Sequence, residues 1–111
     1  MKKAERKRWL STPSRYYDTG GGWGNAINVQ RWPSNEGEAA RVVGWKSTMP
    51  REGDVLRCPM QSGKTVVGRF SKVERCRDPQ DMFFADVEII GYLGDVDLPA
   101  EEGAPRTSWL L

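Results

Sequence analysis

Residues 52–92 constrain the fold most, because apolar and polar side chains alternate over three successive stretches that turn residues separate. The last stretch places Phe83, Ala85 and Val87 on one side of an extended chain, with polar residues on the other side. Between the first two stretches, Gly63 can adopt the positive φ that a tight hairpin turn requires. The alternation has the period of a β-strand, so three consecutive strands are predicted here.

The middle stretch, residues 64–76, is too long to lie flat as one regular strand. Its apolar residues change from even to odd positions between Phe70 and Val73. A β-bulge produces such a one-residue shift, and Gly68 or Ser71–Lys72 is its expected place. A strongly bent central strand favours a curling barrel over a flat sheet.

Strand-like patterns occur five times along the chain, and helix signals are weak, with two turns at most over residues 2–10. The predicted strands cover residues 25–32, 41–46, 54–60, 64–76 and 82–92. We therefore predict an all-β fold: a small SH3-like five-stranded barrel with extended N- and C-terminal segments. The expected parts are a basic, glycine-rich N-terminal extension (1–24), the β-barrel domain (25–93) and an acidic C-terminal tail (94–111).

Part of this pattern resembles a known family. Gly53-Asp-Val, Ser62-Gly-Lys and the run from Gly68 to Val73 are similar to the KOW-type half of SH3-like barrels, where glycines flank paired strands. The resemblance covers about 21 residues and implies binding of RNA or protein. The whole chain, compact, rich in tryptophan and with charged ends, also resembles small bacteriophage-type proteins.

Charge is segregated along the chain. The first 15 residues carry a net charge of +5, residues 16–93 are neutral, and residues 94–111 carry −3. The basic head has three possible roles: contact with phosphates, plain solvation, or pairing with the acidic end of the same molecule.

Length and composition predict one soluble domain without a membrane segment. No apolar run approaches the roughly 20 residues that a bilayer requires, and no apolar stretch follows the basic start. We expect a cytoplasmic protein, in the host cytoplasm if a phage encodes it. Cys58 and Cys76 are expected to be reduced, half-buried thiols, with a disulfide as the alternative.

The residue inventory does not favour catalysis. The chain has no histidine, so the usual general base near neutral pH is missing, and we predict no enzyme, no catalytic residue and no cofactor. The run Met60–Thr65 imitates the end of a phosphate-binding loop, but a strand is predicted to follow it instead of a helix. No metal site is predicted, although four acidic residues lie close in sequence: Asp78, Asp81, Asp86 and Glu88.

With catalysis disfavoured, we predict that the protein acts by binding a partner. Its five tryptophans are more than a core of this size needs. Trp32 and Trp45 are expected to pack on the barrel. The leading prediction is a phage-type accessory protein that engages a host factor or an assembly component. The predicted partner-binding residues are Trp9, Tyr16, Tyr17, Trp23 and Trp109. The alternative is a nucleic-acid-binding module that uses the exposed aromatics Trp9 and Tyr16 together with a basic cluster: Lys2, Lys3, Arg6, Lys7 and Arg8.

Overall fold

The computed structural model describes residues 2–19, 27–35, 37–45, 49–77 and 82–102. These residues form one short helix and six strands. In chain order the elements are α1 (Lys3–Ser11), β1 (Tyr16–Asp18), β2 (Ile27–Arg31), β3 (Ala40–Trp45), β4 (Val55–Pro59), β5 (Thr65–Arg75) and β6 (Met82–Tyr92).

The strands form a single curled sheet, a half-barrel, in the order β1-β4-β5-β6-β3-β2. The pairing of β1 with β4 is parallel, and the other pairings are antiparallel. The predominantly β fold is therefore confirmed, but the predicted number of five strands is wrong. The sixth strand, β1, is only three residues long and pairs with a strand far along the chain, so no local alternation reveals it. The SH3-like identity of the barrel stays a prediction.

Strand β5 bends as the sequence predicts. Its register against β6 shifts between Val67 and Gly68 and again between Phe70 and Lys72. The bend needs a glycine, because a Cβ at Gly68 would lie 2.4 Å from Cγ1 of Val87. Both predicted bulge positions are therefore used, and together they curl the sheet.

The core lies inside this curl. Phe70, Phe83 and Val87 are almost completely buried, which confirms the predicted apolar face of the last strand. Tyr17 of β1 contacts the edge of the Phe70 ring at 5.9 Å between ring centroids, so the additional strand contributes to the same core.

Helix α1 is rich in good helix formers and ends before Pro13, which disfavours helical backbone at the preceding residue. Its Trp9 is buried, and the indole N–H donates to the carbonyl of Gly53 at 2.7 Å. The segment expected to be an N-terminal extension thus contributes a docked helix and an edge strand. Within the described ranges, no helix is long and apolar enough to cross a membrane.

The beginning of the acidic tail lies against the basic head. Ser14 forms a parallel bridge with Glu101, and the Tyr16 hydroxyl donates to the carbonyl of Pro99. The guanidinium of Arg15 lies 3.5 Å from the carboxylate of Glu102. Of the roles left open for the basic head, pairing within the molecule is therefore found at Arg15.

Candidate binding surface

Three large hydrophobic side chains are exposed around one open end of the curled sheet. Trp32 is 42% exposed, Met60 37% and Tyr92 43%. We call Trp32, Met60 and Tyr92 the mouth patch. A surface of aromatic and thioether side chains has the composition of protein-interface cores.

Strand ends bring these side chains together. Trp32 directly follows β2 and lines an apolar recess with Cys58 of β4 and Val66 of β5. The sulfur of Met60 lies 3.9 Å from that of Cys58. Tyr92 is the cross-strand partner of Val66, and such partners lie on the same face of a sheet. Each member of the patch therefore adjoins the recess.

The recess itself is too small to hold a ligand. Its volume is about 10 Å³, which is room for one water at most, and its lining is apolar. A partner can therefore only cover the rim, where the exposed side chains of the mouth patch stand. The arrangement suits contact with a second macromolecule better than binding of a small molecule.

A basic residue flanks the mouth patch. The ammonium group of Lys64 lies 5.0 Å from the ring centroid of Tyr92, a cation–π contact. The run that imitates a phosphate-binding loop ends here, and strand β5 follows it directly, as the sequence predicts.

The edges of the sheet are poor sites for an added strand. β2, at one end of the sheet, has an irregular register between Val29 and Arg31, and Pro33 follows it closely. β1, at the other end, has only three residues, and the segment around Pro99 lies beside it. Bulges, charges, proline and short length are the features by which edge strands avoid pairing with other chains.

The structure corrects most of the predicted partner-binding residues that it describes. Trp9 and Tyr17 are 6% and 8% exposed, so the expected exposure is wrong for both. Tyr16 is half-buried, and burial raises the pKa of its phenol. Trp23 and Trp109 lie outside the described residues.

Trp32 packs at the rim of the barrel, where it lines the apolar recess, but it remains 42% exposed, whereas Trp45 is half-buried in β3. Trp32 lies one residue beyond the end of β2 and directly before Pro33. This position could have indicated the exposure of Trp32 from the sequence, because a side chain beyond the last residue of a strand has neighbours on fewer sides.

A cleft of about 760 Å³ lies between α1 and the turn that precedes β4. At its base, the buried carboxylate of Asp54 accepts hydrogen bonds from the backbone N–H of Arg15 at 3.1 Å and of Arg51 at 2.8 Å. Acidic and basic side chains line the cleft in similar number: Glu5, Glu52, Asp54 and Glu102 with Arg8, Arg51 and Arg69. This near balance gives the cleft no preference for a charged ligand of either sign.

The basic cluster of the alternative prediction lies on α1. Four of its members are exposed: Lys2, Lys3, Lys7 and Arg8. Arg6 differs, because its guanidinium lies 6.0 Å from the ring centroid of Trp9 and donates to the carbonyl of Asp97. It is half-buried and already has partners in the protein.

The acidic residues of β6 pair with arginines. Asp86 lies 2.9 Å from Arg41, and Glu88 lies 3.4 Å from Arg69, while Asp78 and Asp81 are outside the described residues. In the described part of the chain, no group of three or more His, Cys, Asp or Glu side chains is placed to hold a metal ion. Cys58 and Cys76 are half-buried free thiols.

Comparisons with protein families, with curated proteins and with solved structures find no match for this chain. Its function is therefore argued from the surfaces described above.

Proposed function

We propose that the chain is a non-catalytic binding protein that engages a protein partner through the mouth patch. The observation that carries the proposal is the gathering of Trp32, Met60 and Tyr92, all exposed, around one end of a well-packed half-barrel. Tryptophan and tyrosine are the side chains that most often dominate the energy of protein interfaces. Methionine adapts its shape to the surface that it meets.

The surroundings of the patch indicate the kind of partner surface. Lys64 places positive charge beside Tyr92, so a partner with an apolar centre and an acidic edge is complementary. The partner is a host factor or an assembly component, as the phage-type hypothesis suggests. Contact through side chains is favoured over strand addition, because both edge strands are protected.

Affinity capture tests the proposal. The tagged protein is incubated with nuclease-treated lysate of a candidate host, and the retained proteins are compared between variants. Trp32→Ala/Tyr92→Ala removes two anchors that are more than a third exposed, so the fold is expected to persist, which a thermal melt checks. Asn28→Ala/Gln30→Ala is the matched control on the exposed side of β2.

A protein that wild type and control retain, and that the patch variant loses, supports the proposal. We expect the loss to be at least tenfold, because each interface anchor typically contributes more than 1 kcal/mol. Equal retention by all three proteins would contradict it.

A further inference from the structure

The outward side of α1 carries positive charge that no acidic side chain of the helix offsets. Lys2, Lys3, Lys7 and Arg8 are all exposed. Glu5, the acidic residue of the helix, pairs with Arg69 of the sheet at 3.2 Å and lines the cleft beside Arg8. The carboxylate that could have neutralised the basic cluster is thus paired with an arginine of the sheet.

This arrangement is unfavourable for an isolated helix. Lys3 and Lys7 are four residues apart, where like charges on a helix repel each other. Lys2 and Lys3 also stand at the N-terminal end, where the helix dipole is positive and acidic side chains are preferred. A bound anion would relieve both effects at once.

The helix is held in place independently of these cations. Trp9 is buried, and its hydrogen bond to Gly53 fixes α1 to the turn before β4. The lysines therefore stand on a pre-positioned face, so binding need not order the segment first.

The ligand class follows from what this face lacks. The large apolar residues of α1 are Trp9, which is buried, and Leu10, which is half-buried, so the helix has no apolar side for insertion into a lipid surface. Because the ring of Trp9 is buried, α1 offers no free aromatic side chain on which unpaired bases could stack. What remains is contact with phosphate groups, which carries no sequence information.

We propose that the outward face of α1 binds the phosphate backbone of duplex nucleic acid without sequence preference. The contacts come from Lys2, Lys3 and Lys7, whereas Arg6 is engaged within the protein and Arg8 lines the cleft beside Glu5 and Glu52. The neighbouring cleft does not extend the site, because its charges nearly balance, and exposed Glu52 and Asp97 lie close enough to limit the affinity. The site is separate from the mouth patch and does not depend on the protein partner.

Fluorescence anisotropy with a labelled 20-base-pair duplex of arbitrary sequence tests the inference at several salt concentrations. Three phosphate contacts predict a slope of about −2.7 for log affinity against log salt, by the rule of about −0.9 per contact. Lys3→Gln/Lys7→Gln should lower the affinity and reduce the slope to about −0.9. The matched control, Arg75→Gln/Arg77→Gln, removes two exposed cations outside α1 and should bind as wild type does.

Unfolding does not complicate the comparison, because removal of two repelling charges should leave α1 at least as stable, which circular dichroism checks. Equal losses in the helix variant and the control would overturn the inference, since binding would then follow net charge alone. A slope near zero would also overturn it. So would binding to vesicles of phosphatidylserine and phosphatidylcholine without binding to the duplex.

Discussion

Trp32 provides the largest apolar surface of the mouth patch and is the side chain on which the proposed interface depends most. A tryptophan that is 42% exposed leaves much of its ring available for a partner. Trp9 shows the opposite outcome for the same residue type, since its ring is buried and its indole N–H is bonded to Gly53. Local contacts, and not residue type, decide which tryptophan is available for binding.

Phe83 tests the core at the scale of one residue. Its side chain is fully buried in β6, so Phe83→Ala should lower the free energy of unfolding by roughly 3–5 kcal/mol. Urea denaturation measures this change. Gln30→Ala, at an exposed position of β2, is the control and should change stability by less than about 0.5 kcal/mol. Equal midpoints for the two variants would contradict the register of β6.

Glu74 gives a pH-dependent test. The hydrogen bond from Arg41, at 3.0 Å, lowers the pKa of Glu74 below its ordinary value of 4.5. The ionised form is therefore favoured in the folded state, and its stabilising effect is present above pH 4.5 and is lost as the pH falls through the folded-state pKa.

Glu74→Gln should accordingly lower stability at pH 7 and have a smaller effect at pH 3, as measured by urea denaturation at both values. In an Arg41→Gln background the same substitution should show a smaller pH dependence, because only Lys72, at 3.2 Å, still pairs with Glu74. A constant difference between Glu74→Gln and wild type at the two pH values would show that the pair does not form.

At the scale of elements, the turn before β4 connects the N-terminal segment to the sheet. The carbonyl of Gly53 accepts hydrogen bonds from Trp9 of α1 and from the hydroxyl of Ser14. The carboxylate of Asp54, which is 2% exposed, accepts hydrogen bonds from the backbone N–H groups of Arg15 and Arg51. These bonds explain how α1 and β1, two elements with little apolar surface of their own, remain docked.

Asp54→Ala should destabilise the protein by about 1–3 kcal/mol, because it leaves two backbone N–H groups without their acceptor. Amide hydrogen exchange should also accelerate in residues 9–18 more than in β5 and β6. Asp97→Ala, at an exposed position, is the control. Equal exchange rates over residues 9–18 in the Asp54 variant and in the control would contradict this role for the turn.

The elements also show what the sequence can predict. β5 and β6 follow from alternation and from turn residues, because each has one buried face. β1 does not follow, because its pairing depends on a strand that is distant in sequence. The position of Trp32 directly before Pro33 was a local signal of exposure, whereas burial of Trp9 depends on tertiary contacts that no local pattern contains. The fold was therefore largely predictable and the candidate surface only in part.

At the scale of the whole molecule, β4 links two surfaces of different character. It begins at Val55, beside the turn that holds α1, and ends at Pro59, next to the mouth patch. The cationic face of α1 and the apolar mouth patch are thus at opposite ends of one strand. The two proposed binding surfaces therefore share no residue.

The most direct test of the central claim is hydroxyl-radical footprinting, with oxidation of individual side chains measured by mass spectrometry in the free protein and in the complex with a captured partner. In the free protein, Trp32 and Met60 should oxidise rapidly and buried Trp9 slowly. In the complex, Trp32, Met60 and Tyr92 should become protected. Rapid oxidation of Trp32, Met60 and Tyr92 in the complex, at the rates of the free protein, would contradict the proposed interface.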